Sequence, residues 1–167
     1  MDLRATQQPL KDRYRADPAA AQITLRASGS RADGPIACSV DLGRSIYEAQ
    51  AHEGVGGAGT AACSGDLLLG ALAACAQLTC QMVATATGIE ATHIEVFVEG
   101  DLDLRGTLGL DRDVSAGFAA IRVRFVIDAP TATDDELASL QTKTERYCTV
   151  LQTLTRPPHL ETEFCRT

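Results

Sequence analysis

Between Ser64 and Gly88 the chain carries Leu, Ala and other small residues at almost every position, and Asp66 is the one charged side chain in the run. Ser64 can cap a helix N-terminus, Asp66 in the first turn favours the helix dipole, and Gly88 is a natural stop. The run therefore predicts one helix from Ser64 to Thr87, roughly 35 Å long at helical rise. A helix that is apolar or small almost all round belongs inside the protein, so this segment is expected to be the spine of the core.

The flanking segments carry a different period. Gln22–Ala27 alternates and predicts a strand, Ser28–Gly34 has turn composition, and Ile36–Leu42 predicts the returning strand of a hairpin. Ser45–His52 is a candidate third strand. After the helix, His93–Leu104 and Phe118–Ile127 alternate, the first with Ile94, Val96 and Val98 on one face and the second with Arg122 and Arg124 on the outward face. Residues 106–117, with a glycine at each end, are expected to form a loop. Thr133 before Asp134, Asp135 and Glu136 is a helix start. A short helix is expected over Tyr147–Thr155, ended by Pro157-Pro158, with a last strand over Leu160–Cys165. This is an α+β pattern, with antiparallel sheets packed on long central helices. The 167 residues suit a single domain, with residues 1–18 an irregular or partly helical extension.

Composition narrows the function. A net charge of −7, with no basic stripe, argues against nucleic acid as a partner. Leu67–Leu78, the longest mainly apolar stretch, is short for a bilayer and is interrupted by Gln77. Met1–Leu10 shows no basic start followed by an apolar run, so a cytoplasmic location, without membrane insertion, is the expectation. The glycines of Gly54–Gly59 lack the Lys-Ser/Thr and preceding buried strand of a phosphate loop, and suit a hinge or entry loop.

Chemistry rests on six cysteines: Cys38, Cys63, Cys75, Cys80, Cys148 and Cys165. Their spacings contain no CxxC, and His52, His93 and His159 are scattered, so no metal site is expected. Cys75 lies mid-helix, where position alone favours packing as a small hydrophobe over catalysis. Cys80 lies five residues on, about 140° round the helix, and points elsewhere. Cys63 stands just before the helix. Cys148 falls at the start of a short helix beside Arg146, and both features favour a thiolate. Whether any two sulfurs come within disulfide reach is not a property of spacing.

The run Gly56-Gly57-Ala58-Gly59-Thr60, followed by Asp66-Leu67-Leu68-Leu69-Gly70-Ala71-Leu72-Ala73-Ala74-Cys75 and later by Cys148-Thr149-Val150, resembles the OsmC/Ohr family of thiol-dependent hydroperoxide reductases. The resemblance implies an intertwined homodimer with two sites at the subunit interface. It implies that Cys75 attacks the peroxide and becomes a sulfenic acid, that Cys148 condenses with it as a disulfide, and that an external dithiol reduces the pair. No cofactor is implied. Arg31, in Gly29-Ser30-Arg31-Ala32-Asp33-Gly34, corresponds to a family arginine that stabilises the thiolate, with Arg26 and Arg44 as alternatives. Three departures are plain, the first being a segment between Thr60 and Asp66 that is longer than in the peroxidases and adds Cys63. Gly65 stands where the peroxidases carry an arginine-orienting Glu, leaving Asp66 as a substitute, and Thr149 replaces a proline. These departures leave two other readings of the same fold: a non-enzymatic protein binding a small apolar ligand at the interface, and a redox sensor using Cys63 or Cys80.

Overall fold

The computed structural model describes residues 28–31, 37–41 and 46–166, together with Gln8 and Ala16. The expected strand at Gln22–Ala27 and the extension over residues 1–18 lie outside these, apart from those two positions. The chain divides into two compact units, Met1–Gly70 with Phe97–Arg124, and Ala71–Val96 with Phe125–Thr167. One long helix and two strands run from one unit into the other.

Three strands, β1 (Ser28–Arg31), β2 (Ala37–Asp41) and β3 (Ile46–Gln50), form an antiparallel sheet in the first unit, in the order β1-β2-β3. Ser28 pairs with Asp41 and Arg31 with Cys38. The returning and third strands fall within the expected ranges Ile36–Leu42 and Ser45–His52. Ser28–Arg31 does not form the expected turn: ladder pairing with β2 overrides its turn composition. A 3-10 turn over Glu53–Val55 follows, and Gly56 closes it in the left-handed region at φ 94°. Gly57 then passes so close to the Ala51 carbonyl that no side chain fits.

Helix α1 spans Ser64–Thr87, the predicted bounds. Ser64 is its first helical residue rather than its cap. The Cys63 N–H is satisfied by the Asp66 carboxylate at 2.9 Å, the side-chain half of a capping box. Its buried residues, Leu72, Ala76, Thr79, Cys80, Val83 and Ala84, recur at helical spacing along one face. The expectation of a helix buried all round fails on the other side, where Leu78 is 59% exposed and Met82 is also exposed. By length and composition α1 also passes for a membrane span, against the shorter stretch counted above. It nevertheless carries buried core residues along one side.

Strands β4 (His93–Asp101) and β5 (Ala120–Asp128) form a two-stranded sheet. Thr92 bonds Asp128 at one end and Ala119 bonds Asp101 at the other, so the pair runs antiparallel. Side chains alternate along both strands as predicted. On the outward face Arg122 pairs with Asp101, and Arg124 stacks 4.4 Å from the Phe97 ring. The expected loop between the strands holds one helical turn, α2 (Leu104–Thr107), because Asp103 caps it through the Arg105 N–H at 3.0 Å.

Helix α3 (Asp134–Tyr147) starts with the full capping box of Thr133 and Glu136, and α4 (Thr149–Thr155) follows after a single residue. In the second unit Cys80, Val83 and Ala84 of α1 pack with Ile89 and Leu140 around one core, flanked by Ile94, Phe125 and Ile127. Leu160–Cys165 is not a strand. It has no regular structure and Phe164 is 99% exposed, since alternation without a ladder partner does not make a strand.

Candidate functional site

The joint between α3 and α4 is a single residue, Cys148. It ends α3 by donating its N–H to Thr144 at 2.9 Å and starts α4 by accepting from Gln152 at 2.9 Å. Its extended backbone (φ −71°, ψ 105°) breaks the helix there and turns the free amides of Thr149, Val150 and Leu151 toward sulfur. The Gln152 side chain donates to the Glu145 carbonyl at 2.8 Å, which ties the two helices across the joint. Cys148 is 0% exposed.

Cys75 comes from the middle of α1 and is half-buried. Its sulfur lies in hydrogen-bond contact with the Cys148 thiol, and both cysteines are reduced. Burial opposes the Cys75 thiolate, but four donors outweigh it: the Val150 N–H, the Cys148 thiol, the Thr79 hydroxyl and the Thr149 N–H. The result is a thiol held below its ordinary range. Cys148 moves the other way. Burial pushes it up, and the neighbouring Cys75 sulfur adds to the push. One thiol is thus set to ionise and its neighbour to stay protonated, as an attacking and a resolving sulfur require.

This reverses one sequence expectation. The helix start and Arg146 were expected to favour a thiolate at Cys148. The structure spends the Val150 and Thr149 amides on Cys75 as well, and Arg146 lies over the Tyr147 ring, 5.7 Å from its centre. Thr79 was not singled out from sequence. Its position four residues after Cys75 on a predicted helix was the available signal.

The other expected residues stand apart. The Arg31 backbone lies in β1, and its side chain is outside the described residues, as is Cys38's. Asp66 accepts from the Cys63 N–H at 2.9 Å and lies beside the Cys63 thiol, and both hold its carboxyl below the usual range. Cys80 is buried beside Thr144, and burial raises its pKa. Among the described residues no group of three or more His, Cys, Asp and Glu is placed to hold a metal ion.

A family model described as OsmC-like protein matches residues 57–163. Solved structures share the fold at low identity. An OsmC-like protein from Mycoplasma pneumoniae is 15% identical with a TM-score of 0.67, over 81% of this chain and 90% of that one. An organic hydroperoxide resistance protein from Elizabethkingia anophelis, with thiocyanate bound, is 21% identical with a TM-score of 0.59, over 81% and 90%. An organic hydroperoxide resistance protein from Legionella pneumophila is 18% identical with a TM-score of 0.60, over 80% and 90%. No curated protein matches the sequence.

Proposed function

The chain belongs to the OsmC-like protein family, and from that premise we propose that it is a thiol-dependent peroxidase that reduces organic hydroperoxides through Cys75 and Cys148. The observation that carries the reading is the contact between the two reduced sulfurs, with Cys75 favoured as thiolate and Cys148 as thiol. The names of the hydroperoxide resistance neighbours supply the substrate class.

The Cys75 thiolate attacks the terminal oxygen of the hydroperoxide. An S–O bond forms, the O–O bond breaks, and the alkoxide leaves and takes a proton to become the alcohol. The Cys148 thiol then condenses with the sulfenic acid, releasing water and leaving a disulfide. An external dithiol returns both sulfurs to the reduced state. The Val150 and Thr149 amides and the Thr79 hydroxyl are already directed at sulfur, so the nucleophile needs no reorganisation before attack. No metal, haem or flavin takes part.

The reading extends to three further assignments. Arg31 supplies the cation that stabilises the leaving oxygen. The exposed Leu78, which lies within a helical turn of Cys75, and Met82 beyond it receive an alkyl tail or the second subunit of a homodimer. Residues 1–167 act as one domain in the cytoplasm. Asp66 keeps the role its contacts give it, beside Cys63.

The test is peroxide consumption. Wild-type protein with a dithiol should consume cumene hydroperoxide, and Cys75→Ser should not. A silent wild type with reduced thiols would favour the second reading, a ligand-binding protein of the same fold. Gly65 in place of the orienting Glu is the observation on that side.

A further inference from the structure

A second thiol stands in a cleft of the first unit, apart from the Cys75–Cys148 pair. The cleft holds about 220 Å³. Leu69, Leu102, Leu104 and Phe118 make an apolar wall, and His52, Cys63 and Asp66 make a polar end. Cys63 is buried at its base, while His52 and Asp66 are exposed at its mouth. This is the form of a site for a small molecule with an apolar tail and a polar head.

Three features give that polar end chemistry. The Cys63 thiol lies beside the Asp66 carboxylate, whose Oδ2 takes the Cys63 N–H at 2.9 Å. A carboxylate in contact with S–H is a proton acceptor for a nucleophilic sulfur. His52 accepts the Gly54 N–H through Nδ1 at 3.0 Å, so its neutral ring carries the proton on Nε2, which can donate it. Gly65 keeps the space above the sulfur clear. A Cβ at that position would lie 3.4 Å from Cys63 Sγ and 3.4 Å from the Phe118 ring, so a longer side chain would fill the cleft.

We propose that this cleft is a second hydroperoxide-reactive centre, with Cys63 as nucleophile, Asp66 as its proton acceptor, His52 as proton donor to the leaving oxygen, and small alkyl hydroperoxides as substrate. The substrate class rests on the peroxidase reading above. Cys63 Sγ attacks the terminal oxygen, the S–O bond forms and the O–O bond breaks. The thiol proton passes to Asp66, and the departing alkoxide takes the Nε2 proton of His52. The products are one sulfenic acid and one alcohol, and exchange with water restores both side chains. Asp66 is ionised at neutral pH because the Cys63 N–H, foremost among its contacts, holds its carboxyl low. On this account the Gly65 departure opens a site and does not merely remove a glutamate.

The experiment uses the full chain carrying Cys75→Ser, treated with tert-butyl hydroperoxide in the presence of dimedone, which traps sulfenic acids. Peptide mass spectrometry reads each cysteine. Cys63 is expected to gain the adduct at least tenfold faster than exposed Cys165, with a rate that saturates in peroxide. Gly65→Leu, which fills the cleft, and Asp66→Asn, which preserves its size, should each slow that labelling at least tenfold. No adduct at Cys63, an adduct no faster than at Cys165, or rates unchanged in both variants would overturn the proposal. The same digest of the Cys148→Ser chain, in which a Cys75 sulfenic acid has no thiol to condense with, separates the two readings. An adduct at Cys75 with none at Cys63 overturns the second centre alone, and the converse overturns the Cys75 assignment alone.

Discussion

The Thr79 hydroxyl, one helical turn beyond Cys75 on the buried side of α1, stands beside the Cys75 sulfur and favours its thiolate. Five other helical threonines spend their hydroxyl on the carbonyl four residues back. Thr85, Thr87, Thr142, Thr153 and Thr155 all do so, at 2.8–2.9 Å. Thr79 turns the same local geometry toward a thiolate. Thr79→Val, which keeps the shape and removes the donor, should raise the Cys75 pKa toward the ordinary thiol range, and Thr79→Ser should restore it. The pH dependence of Cys75 alkylation checks both.

Alkylation of the wild type should separate the two site thiols by pH. The thiolate is the reactive form, so a lowered pKa brings the plateau of the rate to lower pH. Cys75 is held low by amides and hydroxyl despite burial, and Cys148 is pushed high by burial and by Cys75. Iodoacetamide labelling followed by peptide mapping should show Cys75 reacting at a pH where Cys148 is inert. The opposite order would assign the nucleophile to Cys148.

Cys148→Ser should separate oxidation from turnover. With Cys75 intact, that site consumes one equivalent of cumene hydroperoxide per chain, and its sulfenic acid then has no partner. Steady-state consumption with a dithiol should fall at least tenfold, while a single-turnover burst remains. Stopped-flow absorbance with limiting enzyme reads both.

Two substitutions test the scaffold. Leu140 is almost fully buried against Cys80, Val83 and Ala84. Leu140→Ala should cost about 2–5 kcal/mol by urea denaturation, the range for emptying a packed leucine site. Thr133→Ala removes the capping box of α3 and should cost about 1 kcal/mol.

The elements with strong local signals were legible in the sequence. Ser64–Thr87 carried its own run of Leu and Ala and its own stop, and Thr133 with Glu136 announced α3 through a bond that spans three residues. Signals that depend on a partner strand were not. Ser28–Arg31 has turn composition and becomes a strand because β2 pairs with it, while Leu160–Cys165 alternates and finds no ladder. The exposed side of α1 was hidden for a similar reason, because Leu78 reads as core whether or not anything covers it. At the site, both cysteines were visible as candidates. Their contact, the sharing of amides at the α3–α4 joint and the turn of Thr79 toward sulfur depend on where α4 meets α1, about which spacing along the chain says nothing.

The most direct test of the account is dithiol-dependent reduction of cumene hydroperoxide, followed in wild-type protein and in Cys75→Ser at equal concentration. The account predicts rapid consumption by wild type and a fall of at least a hundredfold in the variant. Equal turnover in Cys75→Ser would contradict Cys75 as the nucleophile, and no turnover by fully reduced wild type would contradict the peroxidase itself.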